Sequence, residues 1–294
     1  MKLWNHYHLP DTVEQAVELL DPGGASMAVI AGGTDLLLDL QQDRHPPVEM
    51  LIDLNHIDEM QEIEERAGWI YIGAAASLHT IIESELIHHH APGLVDACRR
   101  IGGPQVRNVA TLGGNVGHAL PAGDGSIALM SLNTEAQLAS QEGRRWGPLE
   151  DLFAGPGRPT FDRTHELIIG FRFPIRGALE GSSSTRVMRP QGVAIAILNM
   201  AVWLRLNTQR ELAEVHIALG PAGPTPFRAR ETELRLKGQS KTELMYESGV
   251  EGLLQETQLR TSPYRATQEY RRHLLEVLLR RCMEAAFSSA LQGS

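Results

Sequence analysis

The chain has 294 residues, 42% of them hydrophobic, enough for a substantial core and for two domains. A formal net charge of −9 disfavours a nucleic-acid or anionic-membrane role, and no apolar run is long enough to predict a membrane span. Met1–Pro10 has no signal-peptide pattern, and Cys98 and Cys282 stand alone, so the expectation is a reduced, cytoplasmic chain without a disulfide framework or a metal cluster.

In chain order, Pro10-Asp11-Thr12-Val13-Glu14 predicts a helix start, with Asp11 as cap and Glu14 at capping-box spacing. The helix Thr12–Leu20 ends near Asp21-Pro22-Gly23-Gly24. Met27–Ala31 is a short continuous apolar strand. A glycine turn, Ala31-Gly32-Gly33-Thr34-Asp35, leads into a helix over Thr34–Gln42, and Met50–Leu54 is the next strand. Residues 1–55 thus form a small β-α-β unit.

Trp69–Gly73 predicts a strand, and Ser77 and Thr80 open a helix reaching about Glu85. His88-His89-His90 precede a helix over Pro92–Arg100 and read as a solvated surface run, since no second cluster of ligands is near in sequence. Cys98 reads as a buried structural thiol. A second glycine turn, Thr111-Leu112-Gly113-Gly114-Asn115, follows, with Gly113 80 positions after Gly33. Ser126–Leu132 is helical, and Ala136–Ala139 and Leu167–Phe173 are extended. Pro174–Ser184 is rich in Gly and Ser with little pattern, and the domain boundary is placed there. Beyond it, Val193–Leu206 is a long apolar strand with Val215–Leu219 as its partner. Pro221, Pro224 and Pro226 mark a turn, residues 228–254 carry helical patterning, and Tyr270–Phe287 is a helix with a leucine stripe. Arg271-Arg272 and Arg280-Arg281 read as its solvated face.

The two glycine turns carry the chemistry. Adjacent glycines expose main-chain N–H groups with no Cβ in the way, which suits a phosphate or diphosphate. Lys2, Lys237 and Lys241 are the only lysines, so a phosphate bound within the first 230 residues must be met by arginine, amides or hydroxyls. A Walker-type loop is thereby excluded, and G-x-G-x-x-G is absent. Thr34, Thr111 and Asn115 offer neutral donors. Asp124 offers an acceptor for a ribose or heterocycle, and Asp35 reads as capping the helix or ordering the loop. Taken alone, Gly32-Gly33 is equally well a tight strand-to-helix connection; the two turns together point to one extended ligand.

Ala31-Gly32-Gly33-Thr34-Asp35-Leu36-Leu37, with Ile101-Gly102-Gly103-Pro104-Gln105-Val106-Arg107-Asn108 and Thr111-Leu112-Gly113-Gly114-Asn115, resembles the flavin-binding motifs of the FAD-binding medium subunit of molybdenum hydroxylases. That family includes the flavoprotein subunits of xanthine dehydrogenases and carbon monoxide dehydrogenases. The likeness continues through Pro121 and Asp124, Asp151–Gly155, Phe171–Pro174, Met188-Arg189, Gly192-Val193-Ala194 and Gly220–Arg228. It implies an α+β chain: a two-part FAD-binding domain of the vanillyl-alcohol-oxidase (PCMH) type over 1–175, with subdomains about 1–55 and 56–175, then a smaller α+β domain over 185–288.

By the family pattern Val29, Ile30, Ala31, Gly32, Gly33, Thr34, Asp35 and Leu36, with Thr111, Gly113, Gly114 and Asn115, cradle the FAD diphosphate. Asp124 contacts the flavin-ribityl region, Ile101 and Ile168 line the pocket, and Arg186 stands where relatives often carry a lysine. After Asp124 the chain has Gly125-Ser126-Ile127-Ala128 where the family often has a proline-containing segment. The implied function is electron transfer through FAD, from the clusters of a small two-cluster iron–sulfur subunit to NAD or another acceptor. A large molybdopterin subunit would oxidise the substrate, and no residue of this chain need be catalytic. A stand-alone flavin oxidoreductase and a scaffold subunit that has lost FAD are the alternative readings.

Overall fold

A computed structural model describes residues 3–20, 26–189 and 195–292. The first layer is a three-stranded sheet built from β1 (Trp4–His8), β2 (Met27–Ile30) and β3 (Val48–Asp53), with α1 (Val13–Leu19) and α2 (Leu36–Gln41) between them. β3 lies in the middle and pairs in parallel with both neighbours. The expected β-α-β unit is present, with one strand more. β1 escapes a hydrophobicity reading because it is an edge strand whose three central residues are exposed. α1 is capped by Thr12, not Asp11: the Thr12 hydroxyl accepts from the Gln15 amide at 3.2 Å, and Gln15 Oε1 accepts from the Asp11 amide at 2.8 Å. The segment Asp21–Gly24 lies outside the described residues.

The second unit carries β4 (Ile63–Arg66) and β5 (Trp69–Gly73), then the helices α3 (Leu78–Glu83), α4 (Glu85–His90), α5 (Pro92–Arg100), α6 (Pro104–Arg107), α7 (Leu112–Gly117) and α8 (Asp124–Ser131). β6 (Glu135–Ser140), β7 (Gly143–Pro148), the short pair β8 (Phe153–Gly155) and β9 (Arg158–Pro159), and β10 (Leu167–Pro174) complete it. Its antiparallel sheet has the order β4-β5-β10-β6-β7. Ser77 caps α3 as expected, accepting from the Thr80 amide at 3.0 Å. Phe171 and Phe173 alternate with polar or small neighbours on β10 and are fully buried in the core, beside Ile70, Ile72 and Leu138.

The third unit is an antiparallel sheet of β11 (Glu180–Met188), β12 (Ala196–Leu206), β13 (Leu212–Gly220) and β14 (Phe227–Arg228). It is backed by α9 (Arg230–Leu236), α10 (Glu243–Glu256) and the long α11 (Gln268–Gln292). β12 pairs with β13 as expected from the sequence, while Val193 and Ala194 lie outside the described residues. The helical patterning over 228–254 resolves into two helices rather than one. Leu274, Leu275, Leu278 and Leu279 of α11 are buried in the core of the third unit, where α11 packs on β11 and β12.

β11 begins inside the stretch that the sequence leaves without pattern. Its small residues are a packing requirement, because the strand lies against α5 and α11 at once. A Cβ on Gly93 would stand 2.9 Å from the Ser183 amide nitrogen, and one on Gly181 2.2 Å from the Ala286 carbonyl oxygen. Ser182 Oγ accepts from the Gly93 amide at 3.1 Å, and Ser183 Oγ donates to the Cys282 carbonyl at 2.7 Å. Gly-Ser-Ser-Ser here is a strand clasped by two helices.

α8 is the element that joins the two halves. All eight of its residues are buried, so it has no solvent face. Ala201 of β12 and Ala218 of β13 extend the first core onto the third unit at this point.

Two arginine and histidine readings change. Arg271 is buried, not solvated, with its guanidinium donating to the Ile197 carbonyl. The histidine run ends α4: His88 Nε2 lies 2.8 Å from the Ile82 carbonyl, and His90 Nδ1 accepts from the Arg176 amide at 3.0 Å. Only His89 of the three is exposed, and among the described residues no group of His, Cys, Asp or Glu is arranged to hold a metal ion.

Candidate functional site

The two glycine turns meet. A Cβ on Gly32 would stand 2.3 Å from the Val109 carbonyl oxygen and 2.7 Å from the Ala110 Cα, just before Thr111. The first turn therefore rests directly on the backbone that leads into the second. Gly33 has φ of 65°, the left-handed region that an L side chain enters only with strain. A Cβ on Gly113 would stand 2.6 Å from the Ala74 carbonyl oxygen, which ties the second turn to the end of β5.

The turns differ in what they leave open. In the first, Leu37 N–H donates to the Gly33 carbonyl and Asp39 N–H to the Asp35 carbonyl. The amides of Gly32, Gly33, Thr34 and Asp35 make no hydrogen bond with another described residue. The helix starts at Leu36, two residues later than the sequence predicts, and Asp35 does not cap it. Asp35 is helical in backbone and its carboxylate lies 3.7 Å from His118 Nδ1.

In the second turn the four amides from Leu112 to Asn115 are spent inside the chain. Leu112 N–H donates to Ala76, Gly113 N–H to Ala74, and Asn115 N–H to the Thr111 carbonyl. Gly114 N–H donates to Thr111 Oγ1 at 3.1 Å, the N-cap of α7. What this turn offers is side chains: the Thr111 hydroxyl proton, and the Asn115 Nδ2 group, whose Oδ1 accepts from the Ser126 amide at 3.2 Å. Arg163 holds the other end of α7 by donating to the Gly117 carbonyl. Arg107 Nη1 donates to the carbonyls of Arg99, Ile101 and Gly102, which shapes the loop before the turn. Ile101 packs half-buried against the core. Ile168 on β10 is buried, its Cδ1 close to Gly117.

Asp124 and Arg186 come together from opposite halves of the chain. Arg186 Nη1 donates to Asp124 Oδ2 at 2.5 Å, with both side chains more than nine-tenths buried. Asn199, the cross-strand partner of Arg186, donates from Nδ2 to Asp124 Oδ1 at 2.8 Å. The second guanidinium nitrogen donates to the Arg100 carbonyl. Burial pushes the Asp124 carboxyl up, against the downward pull of Arg186 and Asn199. Nearby, Ser126 Oγ and Asn199 Oδ1 are buried without a hydrogen-bond partner among the described residues. Asp124 and Arg186 are thus bound to each other between the second and third units, beside the second turn.

Sequence reasoning missed Asn55, Asp53 and Tyr7. Asn55 Nδ2 donates to the Ala31 carbonyl at 2.9 Å and to Asp53 Oδ1 at 2.7 Å. The Tyr7 hydroxyl donates to the other Asp53 oxygen, which pushes its pKa up to about 12. The one local signal was Asp53-Leu54-Asn55, an acidic residue two before an asparagine at a strand end, where Asx-type turns form.

The family described as "FAD binding domain in molybdopterin dehydrogenase" matches residues 3–176, and that described as "CO dehydrogenase flavoprotein C-terminal domain" matches 183–286. The xanthine dehydrogenase FAD-binding subunit of Escherichia coli O157:H7 is 28% identical over 97% of this chain and 96% of its own length. The nicotine 6-hydroxylase medium subunit of Paenarthrobacter nicotinovorans is 30% identical over 95% of this chain and 96% of its own. Among solved structures, a carbon monoxide dehydrogenase from Hydrogenophaga pseudoflava superposes with a TM-score of 0.90 at 27% identity, covering 97% of this chain and 98% of that one. Two glycine turns in contact, a mixed helix-and-strand chain and matches over nearly its whole length agree: this chain belongs to the family of FAD-binding medium subunits of xanthine and carbon monoxide dehydrogenase-type molybdenum hydroxylases.

Proposed function

We propose that the chain holds FAD between the two glycine turns and serves as the electron-transfer subunit of a heteromeric molybdenum hydroxylase. The observation that carries this reading is the run of four amides, Gly32 to Asp35, left without acceptors among the described residues where the two turns touch. Gly32, Gly33 and Thr34 are half-buried and Asp35 is exposed, so their amides are open to a ligand, and a diphosphate accepts from several at once. The donor set fits an anion in a chain almost without lysine: amides from the first turn, the Thr111 hydroxyl and the Asn115 carboxamide from the second. In this reading Val29, Ile30 and Leu36 give the first turn its footing, and Ile101 and Ile168 supply apolar walls.

When bound, FAD supplies one- and two-electron transfer between iron–sulfur clusters on a partner subunit and an external acceptor such as NAD. The chain's own residues bind and orient. Gly32 and Gly33 admit the ligand close to the backbone. Asp124 and Arg186, already paired, hold the third unit against the site rather than acting as free charges. Ser126 Oγ and Asn199 Oδ1, without partners among the described residues, lie beside this pair. Relatives named as medium subunits or medium chains support a small iron–sulfur partner and a large molybdopterin partner for this chain.

The test is direct. The purified full-length chain is expected to show a flavin absorption spectrum and to release FAD on denaturation, or to take up added FAD. A chain that binds no FAD under either condition would sink the reading. One that turns over a small organic substrate alone would favour a stand-alone oxidoreductase.

A further inference from the structure

We propose that Asn55 is the positioning residue that aims the Gly32 amide at the ligand's diphosphate. The inference rests on the reading of the glycine turns as an FAD site.

The peptide between Ala31 and Gly32 is planar and trans, so its C=O and N–H point in opposite directions. Whatever fixes the Ala31 carbonyl fixes the Gly32 N–H. Two consecutive residues after β3 grip two consecutive carbonyls: Leu54 N–H donates to Ile30 O at 2.9 Å, and Asn55 Nδ2 donates to Ala31 O at 2.9 Å. The first bond continues the β2–β3 ladder. The second is made by a side chain, beyond the last paired residues Ile30 and Asp53.

The Asn55 carboxamide is itself held. Its second N–H donates to Asp53 Oδ1 at 2.7 Å. The Asn55 backbone amide donates to the same oxygen at 2.9 Å, and its backbone carbonyl accepts from Gln61 Nε2 at 2.5 Å. Asp53 is 8% exposed, and its remaining oxygen accepts from Tyr7. A chain of donors thus runs from the Tyr7 hydroxyl to Asp53, and from Asn55 to the Ala31 carbonyl. On its other side Gly32 abuts Val109, so the peptide cannot swing away. Its N–H has no acceptor among the described residues. Asn55 is exposed, so the bond can be removed without opening the core.

The experiment uses the full-length apoprotein titrated with FAD, followed by flavin fluorescence, together with hydrogen exchange of the segment 29–36 and thermal melting of the apoprotein. Asn55→Ala removes the donor. Asn55→Asp removes it and places a second carboxylate beside Asp53. Loss of a hydrogen bond that aligns a donor to a charged group is expected to raise Kd about tenfold in Asn55→Ala, and further in Asn55→Asp. FAD should slow exchange in 29–36 of the parent chain and slow it less in both variants, while the apoprotein melts within about 2 °C of the parent.

A Kd in Asn55→Ala within about twofold of the parent overturns the proposal and leaves FAD binding intact. A larger fall in apoprotein melting temperature in both variants makes Asn55 a structural tie and also overturns it. Failure of the parent chain to bind FAD instead overturns the functional reading on which the proposal stands.

Discussion

Gly32 rests on Val109: a Cβ on the glycine would stand 2.3 Å from the Val109 carbonyl oxygen, a distance at which one of the two turns must move. At Gly33 the obstacle is different. Its φ is 65°, and the neighbours of an added Cβ are the flexible ends of Ile30 and Leu37 at 3.0 Å. Gly33→Ala should therefore cost about 1 kcal/mol of stability through backbone strain while leaving the turns in contact. Gly32→Ala should part the turns and weaken FAD binding by about tenfold or more. Equal FAD affinities for the two variants in a fluorescence titration would refute this division.

Cys98 and Cys282 are both fully buried, and burial pushes each thiol up to about 12. The thiolate is the reactive form, so neither should react with an alkylating agent in the native chain at about pH 8. Both should react once denaturant is added. Mass spectrometry of the alkylated protein reads the outcome, and rapid native labelling of either cysteine would contradict the packing of α5 or α11.

His216 gives a pH dependence. It is stacked on Trp203 with ring centroids 4.6 Å apart, its Nδ1 is 3.1 Å from the Ser131 carbonyl, and its Nε2 is 3.0 Å from Glu214 Oε1. Burial first, and the Arg228 cation second, hold its pKa below 6.5, although Glu233 and Glu214 pull the other way. A base whose folded-state pKa is depressed binds fewer protons when folded. Its contribution is fully present above the unfolded pKa, near 6.5, and is lost as pH falls through the folded value. Melting temperature should fall on acidification below about pH 6.5, and His216→Gln should flatten that fall. A variant with the same slope as the parent would assign the loss to other groups.

The two turns of the candidate site were legible because glycine signals are local. Adjacent glycines after the apolar run Met27–Ile30, and again after Thr111, announce sharp turns without knowledge of the fold. What could not be read is what long-range contacts decide. Two of the second turn's amides, those of Leu112 and Gly113, are consumed by Ala76 and Ala74, residues far from it in sequence. Gly181-Ser182-Ser183-Ser184 has the composition of a linker, yet α5 and α11 close on it from both sides and only small residues fit. Asp35 has a cap's identity, but its backbone is already helical, so its carboxylate turns to His118. β1 is exposed along most of its length, and its strand character comes from pairing with β3 rather than from a hydrophobic face.

The pair formed by Asp124 and Arg186 sets the last prediction. The two residues are 62 positions apart, and neither charge has water to fall back on, because both side chains are more than nine-tenths buried. Removing one partner leaves the other charge buried and unmet, so Arg186→Met should cost about 3–5 kcal/mol in a denaturant melt. Replacing both removes the stranded charge. Arg186→Met with Asp124→Leu should therefore be more stable than Arg186→Met alone, although the Arg100 carbonyl and Asn199 then lose their partners. Arg186→Lys tests geometry rather than charge. An ammonium on a flexible stem can reach Asp124 but lacks the planar fork that also donates to Arg100, so its loss should fall between the parent and Arg186→Met. If the lysine variant is as unstable as the methionine variant, the guanidinium fork is the decisive feature. If the two single variants and the double variant all melt with the parent, the buried pair does not hold the third unit against the other two, and the junction is carried instead by the apolar packing of α8.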